Sequence, residues 1–148
     1  MIHTDLTLLK PVLQTKIMAA LEEMRGDAEL KRLGVTGIAV SETLRELSVQ
    51  MAYYSRTRMS VPDVKAMYKA AGLYAIGDAE AKRAATWTLD SKHMRGEAVD
   101  LVPTKQGSYW WAAPAEVWKR MGEIGQAHGL TWGGAWKNTD CPHYELTS

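Results

Sequence analysis

Between Leu9 and Met24 the apolar residues Leu9, Leu13, Ile17, Ala20, Leu21 and Met24 return at steps of three and four, the spacing of one helix face. Pro11 suits a first helical turn and Gly26 a stop, so this stretch predicts a helix facing the core. In Thr36–Ser41 the period drops to two, with Ile38 and Val40 alternating with small residues, which predicts a short strand. Thr43 and Glu46 have the spacing of a capping box, and Leu44, Leu47, Met51 and Tyr54 follow as one apolar stripe. A second helix is therefore expected to begin beside Arg45 and to bury that stripe. Ser60 and Asp63 bracket Val61-Pro62 ahead of Val64, Met67, Tyr68 and Ala71, predicting a third helix up to Gly72. The Ala-rich stretch Asp78 to Ala85 predicts at most a short helix.

From Trp87 the pattern changes. Ala98-Val99-Asp100-Leu101-Val102 reads as a strand that Pro103 closes, with Lys105-Gln106-Gly107-Ser108 as a loop. Val117, Trp118, Met121 and Ile124 mark a fourth helix ending near His128-Gly129. Leu130-Thr131-Trp132 and Tyr144-Glu145-Leu146 are two further strands, separated by a loop rich in Gly, Asn, Asp and Pro. Helices come first and strands later, which predicts α+β architecture with a small antiparallel sheet rather than alternating parallel units.

The 148 residues suit one domain with a single core. With 18 Lys and Arg against 17 Asp and Glu the net charge is +1, which points neither to a general nucleic-acid grip nor to strong electrostatic steering. One cysteine, Cys141, excludes an intrachain disulfide. The start, Met1-Ile2-His3-Thr4-Asp5, lacks a basic region followed by an apolar run, and no apolar stretch approaches spanning length, so a cytoplasmic location without membrane insertion is expected.

Two of the four histidines stand beside carboxylates, in Ser91-Lys92-His93-Met94-Arg95-Gly96-Glu97-Ala98-Val99-Asp100 and in Asp140-Cys141-Pro142-His143-Tyr144-Glu145. Catalytic zinc takes three such nitrogen and oxygen ligands at about 2.0–2.2 Å and leaves one position open. Gly96 permits a tight bend that lets His93 and Asp100 converge, and His143 opens a strand with Asp140 in the turn before it. A carboxylate there can act as base.

Ser91-x-His93-x-x-Gly96-x-Ala98-x-Asp100, then Trp132-Gly133-Gly134-x-Trp136, then Asp140-x-x-His143-x-Glu145 resembles the signature of the VanY-type zinc peptidases, closest to their L-alanyl-D-glutamate endopeptidase branch, which includes phage endolysins. Arg45, Gln50, Tyr54 and Arg58 also resemble that family's Arg-bearing segment. The resemblance implies a fold like that of hedgehog proteins and DD-peptidases, with one Zn2+ per chain on His93, Asp100 and His143. It also implies Asp140 as the catalytic carboxylate, Arg45 facing the substrate, and Ser91 lining the pocket. Arg58, Gln50 and Trp132 complete the expected substrate contacts. Bacterial peptidoglycan stem peptides are the implied partner of a monomeric enzyme, held in the host cytoplasm until a holin releases it for lysis. A D-Ala-D-Ala carboxypeptidase or dipeptidase, or a zinc-stabilised module that binds wall peptides without cutting them, are the alternatives. The stretch Met59 to Ala85 is longer and more helical than the family pattern, so it bears on the shape of the cleft.

The remaining candidates read more plainly. Cys141 is an idle or packed thiol, His128 ends a helix where its charge suits the dipole, and His3 lies in a terminus expected to fray. Trp110 and Trp111 are expected to pack, Trp132 and Trp136 either to wall the cleft or to pack, and Glu145 either to orient His143 or to lie on the surface.

Overall fold

The computed structural model describes residues 1–147. The predicted first helix forms as α1 (Pro11–Gly26), followed by the short α2 (Ala28–Arg32) and strand β1 (Gly37–Glu42). Helices α3 (Leu47–Ser55), α4 (Val61–Ala70) and α5 (Asp78–Ala81) come next, then β2 (Ala98–Lys105), β3 (Ser108–Tyr109), α6 (Ala115–Ala127), β4 (Leu130–Trp132) and β5 (His143–Leu146). Every strand pairing is antiparallel; β1, β2, β5 and β4 lie side by side in that order and β3 extends β2 as a hairpin. The α+β expectation holds.

The two faces of the sheet meet different surroundings because side chains alternate along a strand. One face carries Ile38, Val99, Leu101, Leu130 and Tyr144, and buries them against Leu13, Ile17 and Leu21 of α1 and Val117, Met121 and Ile124 of α6. The other carries Asp100, His143 and Glu145. Helix α6 can lie this close to the sheet because Gly122 and Gly125 face it: a Cβ at Gly125 would come 2.5 Å from the Tyr144 ring, and one at Gly122 would run into Trp132.

A second, smaller core lies away from the sheet. Val49 and Ala52 of α3, Val64 and Tyr68 of α4, and Ile76 and Ala81 around α5 bury one another, so that α3 and the stretch Met59 to Ala85 form a helical lobe. Ser60 caps α4 through the Asp63 N–H at 3.3 Å, as its spacing predicts.

Four local expectations are corrected. The capping box of Thr43 and Glu46 is not made: α3 starts later, at Leu47, and Thr43 is instead buried, its N–H donating to His3 O at 2.7 Å. As a result α3 buries Val49, Gln50 and Ala52, while Leu47 and Met51 of the expected stripe face outward. Packing against α4 chose the face, and periodicity alone could not. Pro103 does not end its strand; it pairs with Ile38 inside β2. The N–H that proline lacks would point past the end of β5 toward β3, on the side where Leu101 N–H donates to Pro142 O and Pro103 O accepts from Trp110, so no ladder bond is lost. Finally His3 is held rather than frayed, by the Thr43 bond and by Glu46 at 3.1 Å.

Candidate metal centre and active site

Asp100 and His143 are directly opposed across β2 and β5 on the sheet face turned away from the main core. His93 arrives from the single 3-10 turn Lys92–Arg95, which ends at Gly96 with φ +69°, so the bend predicted there is made in a backbone conformation that glycine tolerates. The His93 Nε2 to Asp100 Oδ1 distance is 3.1 Å, that from His143 Nδ1 to the same oxygen is 3.4 Å, and the three ligand atoms lie within 4.8 Å of one another. Among the described residues this is the cluster suited to a metal ion.

The far nitrogens of both rings are occupied. His93 Nδ1 donates to the Thr43 carbonyl at 2.9 Å, and His143 Nε2 donates to Glu145 Oε1 at 2.8 Å. In its neutral form each ring is thereby held in the tautomer whose lone pair faces Asp100, the arrangement that metal-binding histidines adopt. Two nitrogen lone pairs and a carboxylate converging on one point repel one another unless a cation or a proton sits between them. Burial works against a charged His143, yet the hydrogen bonds to Asp100 and Glu145 push its pKa up to about 9. Burial alone would likewise raise Asp100, and the two imidazoles overcome it and hold Asp100 well below the ordinary carboxylate range. The donor set thus fits a divalent ion such as zinc, with two neutral nitrogens, one oxygen and the outer hydrogen bonds already in place.

Around this triangle opens a cleft of about 650 Å³ between the sheet and the helical lobe. Asp140 stands on its rim, half exposed, 3.8 Å from His143 Nδ1. Partial burial and the Asp100 carboxylate raise its pKa, which suits a base. The turn that places it depends on Gly133: Asp140 N–H donates to Gly133 O at 2.9 Å, and a Cβ on Gly133 would come 2.5 Å from the Asp140 carbonyl.

Arg45 also lines the cleft and is nearly buried, with NH1 donating to Gln50 Oε1 at 2.8 Å, NH2 paired with Glu42, and its guanidinium 4.8 Å over the Tyr53 ring. Its backbone N–H donates to His93 O at 3.0 Å, so the segment after β1 grips His93 at both the carbonyl and the ring. Glu42 escaped sequence reasoning, because simple alternation puts it on the core face with Ile38 and Val40. An irregularity in register between Val40 and Glu42 turns it opposite Asp100 instead. Tyr53, Arg56 and Tyr74, which line the cleft from the helical lobe, had no local signal either.

The other expected site residues divide. Ser91 lines the cleft and caps the His93 turn, accepting from His93 N–H at 3.2 Å. Gln50 is fully buried and holds Arg45 and the Thr88 carbonyl, so it positions rather than contacts. Arg58 stacks 3.8 Å over the Tyr54 ring and is not among the cleft residues. Trp132 is packed against Gly122 and Gly134 and donates from Nε1 to Cys141 O at 2.8 Å, so it supports the turn from beneath. Trp136, 5.1 Å from the His143 ring, takes the place at the cleft wall. Of the tryptophan pair, Trp110 packs on the main core as expected, while Trp111 is 54% exposed and lines the cleft. Glu145 orients His143 and is itself held by Lys92 Nζ at 2.8 Å. Cys141 is a free thiol, and its pKa is raised by burial. Among the described residues no helix is long and apolar enough to cross a membrane.

Residues 84–146 match the family model described as D-alanyl-D-alanine carboxypeptidase. Among solved structures the chain resembles the L-Ala D-Glu endopeptidase ChiX of Serratia marcescens, at 24% identity over 86% of each chain and a TM-score of 0.48. No curated protein matches the chain at a significant level. The matched stretch contains His93, Asp100, Asp140 and His143.

Proposed function

We propose that this chain is a zinc-dependent peptidoglycan peptidase, a monomeric endolysin that cuts the stem peptide between L-alanine and D-glutamate. The observation that carries the reading is the His93–Asp100–His143 triangle, whose outer nitrogens are already hydrogen-bonded and whose open side faces Asp140 and a peptide-sized cleft. A zinc ion on those three residues supplies Lewis acidity for the scissile carbonyl and brings the pKa of water toward 7. Asp140 takes the proton of the attacking water and returns it to the departing amine, which requires contacts of about 2.6–3.2 Å in the substrate complex. Arg45, always protonated and clamped by Glu42 and Gln50, places a fixed positive charge on the cleft wall, where negative charge develops on the carbonyl oxygen. Ser91 and Trp136 wall the cleft beside the two histidines.

The choice of bond draws on the motif resemblance to the endopeptidase branch. Cutting there detaches the whole stem from the sugar strand, whereas trimming a terminal D-alanine leaves cross-links intact, so the bond suits a lysis enzyme released from the host cytoplasm by a holin. Digestion of purified peptidoglycan followed by mass spectrometry tests this. New L-alanine carboxyl ends and D-glutamate amino ends are expected. Release of D-alanine from otherwise intact stems would assign the chain to the carboxypeptidase activity by which its matching family model is described.

A further inference from the structure

Three arginines compete for the recognition of an anionic substrate, and they differ in what their guanidinium groups already hold. Arg45 divides its fork between Glu42 and Gln50. Arg58 lies flat on Tyr54 and donates to the Tyr54 carbonyl at 2.8 Å. Arg56, at the end of α3, lines the cleft from the helical lobe with only 11% of its side chain exposed. Its Nε donates to Arg83 O at 2.8 Å, which fixes the plane of the group. Its outer edge is poorly matched: NH1 reaches the Tyr68 hydroxyl at 3.4 Å, and among the described residues NH2 has no hydrogen-bond partner. The nearest carboxylate, Glu80, stands 3.7 Å away, beyond hydrogen-bond range, and accepts from the Tyr74 hydroxyl. A nearly buried, anchored guanidinium with an unmatched edge suits a carboxylate that brings two oxygens at once. The cleft is also lined by Asp100 and Asp140, which repel such a group.

We propose that Arg56 is a specificity-determining receptor for a free carboxylate of the substrate on the carboxyl-terminal side of the scissile bond, the side that leaves as the amine, presented by the helical lobe at the end of α3. The assignment rests on the peptidase reading above. In a stem peptide the carboxylate is either that of the D-glutamate next to the bond or one on the diamino acid that follows.

Three synthetic muramoyl tripeptides decide between these sources: one with all carboxylates free, one with the glutamate carboxylate amidated, and one with the diamino acid amidated. Zinc content is measured on every preparation. The wild-type enzyme is expected to lose about ten- to a hundredfold in kcat/KM on one of the two amides, the scale of a charge-assisted bidentate contact. Arg56→Gln should abolish that ratio while cutting the amide at close to the wild-type rate. Glu80→Gln, which removes the competing charge and keeps the side-chain shape, should widen the ratio. Hydrolysis of all three peptides by the wild type with no discrimination would overturn the subsite alone, as would equal losses on acid and amide in Arg56→Gln, or a narrowed ratio in Glu80→Gln. A zinc-loaded wild type that cuts none of the three would overturn the peptidase reading, and the subsite with it.

Discussion

Asp140 sits 3.8 Å from His143 Nδ1 but outside the ligand triangle, a placement that separates the role of base from that of ligand. Asp140→Asn should therefore retain zinc and fold while turnover falls by about two to four orders of magnitude, the scale of a positioned base. Elemental analysis beside kinetics checks this, and loss of the metal would make Asp140 a ligand. Arg45 offers a second test at the same scale. Its two terminal nitrogens have different partners, Gln50 and Glu42, and lysine supplies one ammonium that cannot serve both. Arg45→Lys is expected to lose nearly as much kcat as Arg45→Ala, and a lysine variant with near-normal turnover would reduce Arg45 to general electrostatics.

At the scale of elements, the site depends on how closely α6 approaches the sheet. Gly122 leaves room for Trp132, and Trp132 in turn supports the Asp140 turn through the Cys141 carbonyl. A methyl at Gly122 collides with the ring, so Gly122→Ala should destabilise by about 1–3 kcal/mol through overpacking, even though alanine favours a helix by about 1 kcal/mol. Chemical denaturation measures the loss. Pairing the change with Trp132→Leu should restore part of it, and an unchanged or more stable single variant would show that the helix moves away at little cost. The same elements show how much was legible. The proline start of α1 and the Ser60 cap of α4 were local and were read correctly; the face of α3 and the turn of Glu42 toward Asp100 were set by partners distant in sequence.

For the whole molecule, metal, pH and stability are linked through His143. Its pKa near 9 means that the zinc-free ring carries a proton at neutral pH, which zinc must displace. Affinity for zinc should rise about tenfold per pH unit below pH 9 and flatten above it, as read by competition with a chromogenic chelator. A flat profile between pH 6 and 8 would mean that the ring is neutral before zinc arrives. The sign for the zinc-free fold is opposite. A raised histidine pKa stabilises fully below the unfolded value of 6.5, and the contribution disappears as pH passes about 9. Zinc should therefore raise the melting temperature most at alkaline pH, and chelation should abolish lysis.

What the sequence determined by itself was whatever depends on near neighbours: the helix periods, the α+β order, the glycine bend at Gly96, and the pairing of each histidine with a carboxylate a few residues away. The motif resemblance also singled out His93, Asp100, His143 and Asp140, and the fold brings the first three within 4.8 Å of one another with Asp140 3.8 Å from His143. The tertiary structure decided which side chains surround that chemistry. Glu42 faces the site through a break in strand register, Gln50 turns inward to hold Arg45, Trp136 rather than Trp132 walls the cleft, and a second small core brings Arg56 and Tyr74 to the opposite wall. Each of these depends on contacts between segments tens of residues apart. The energy of such contacts is settled by burial against a particular partner, and no local pattern along the chain encodes which partner that will be.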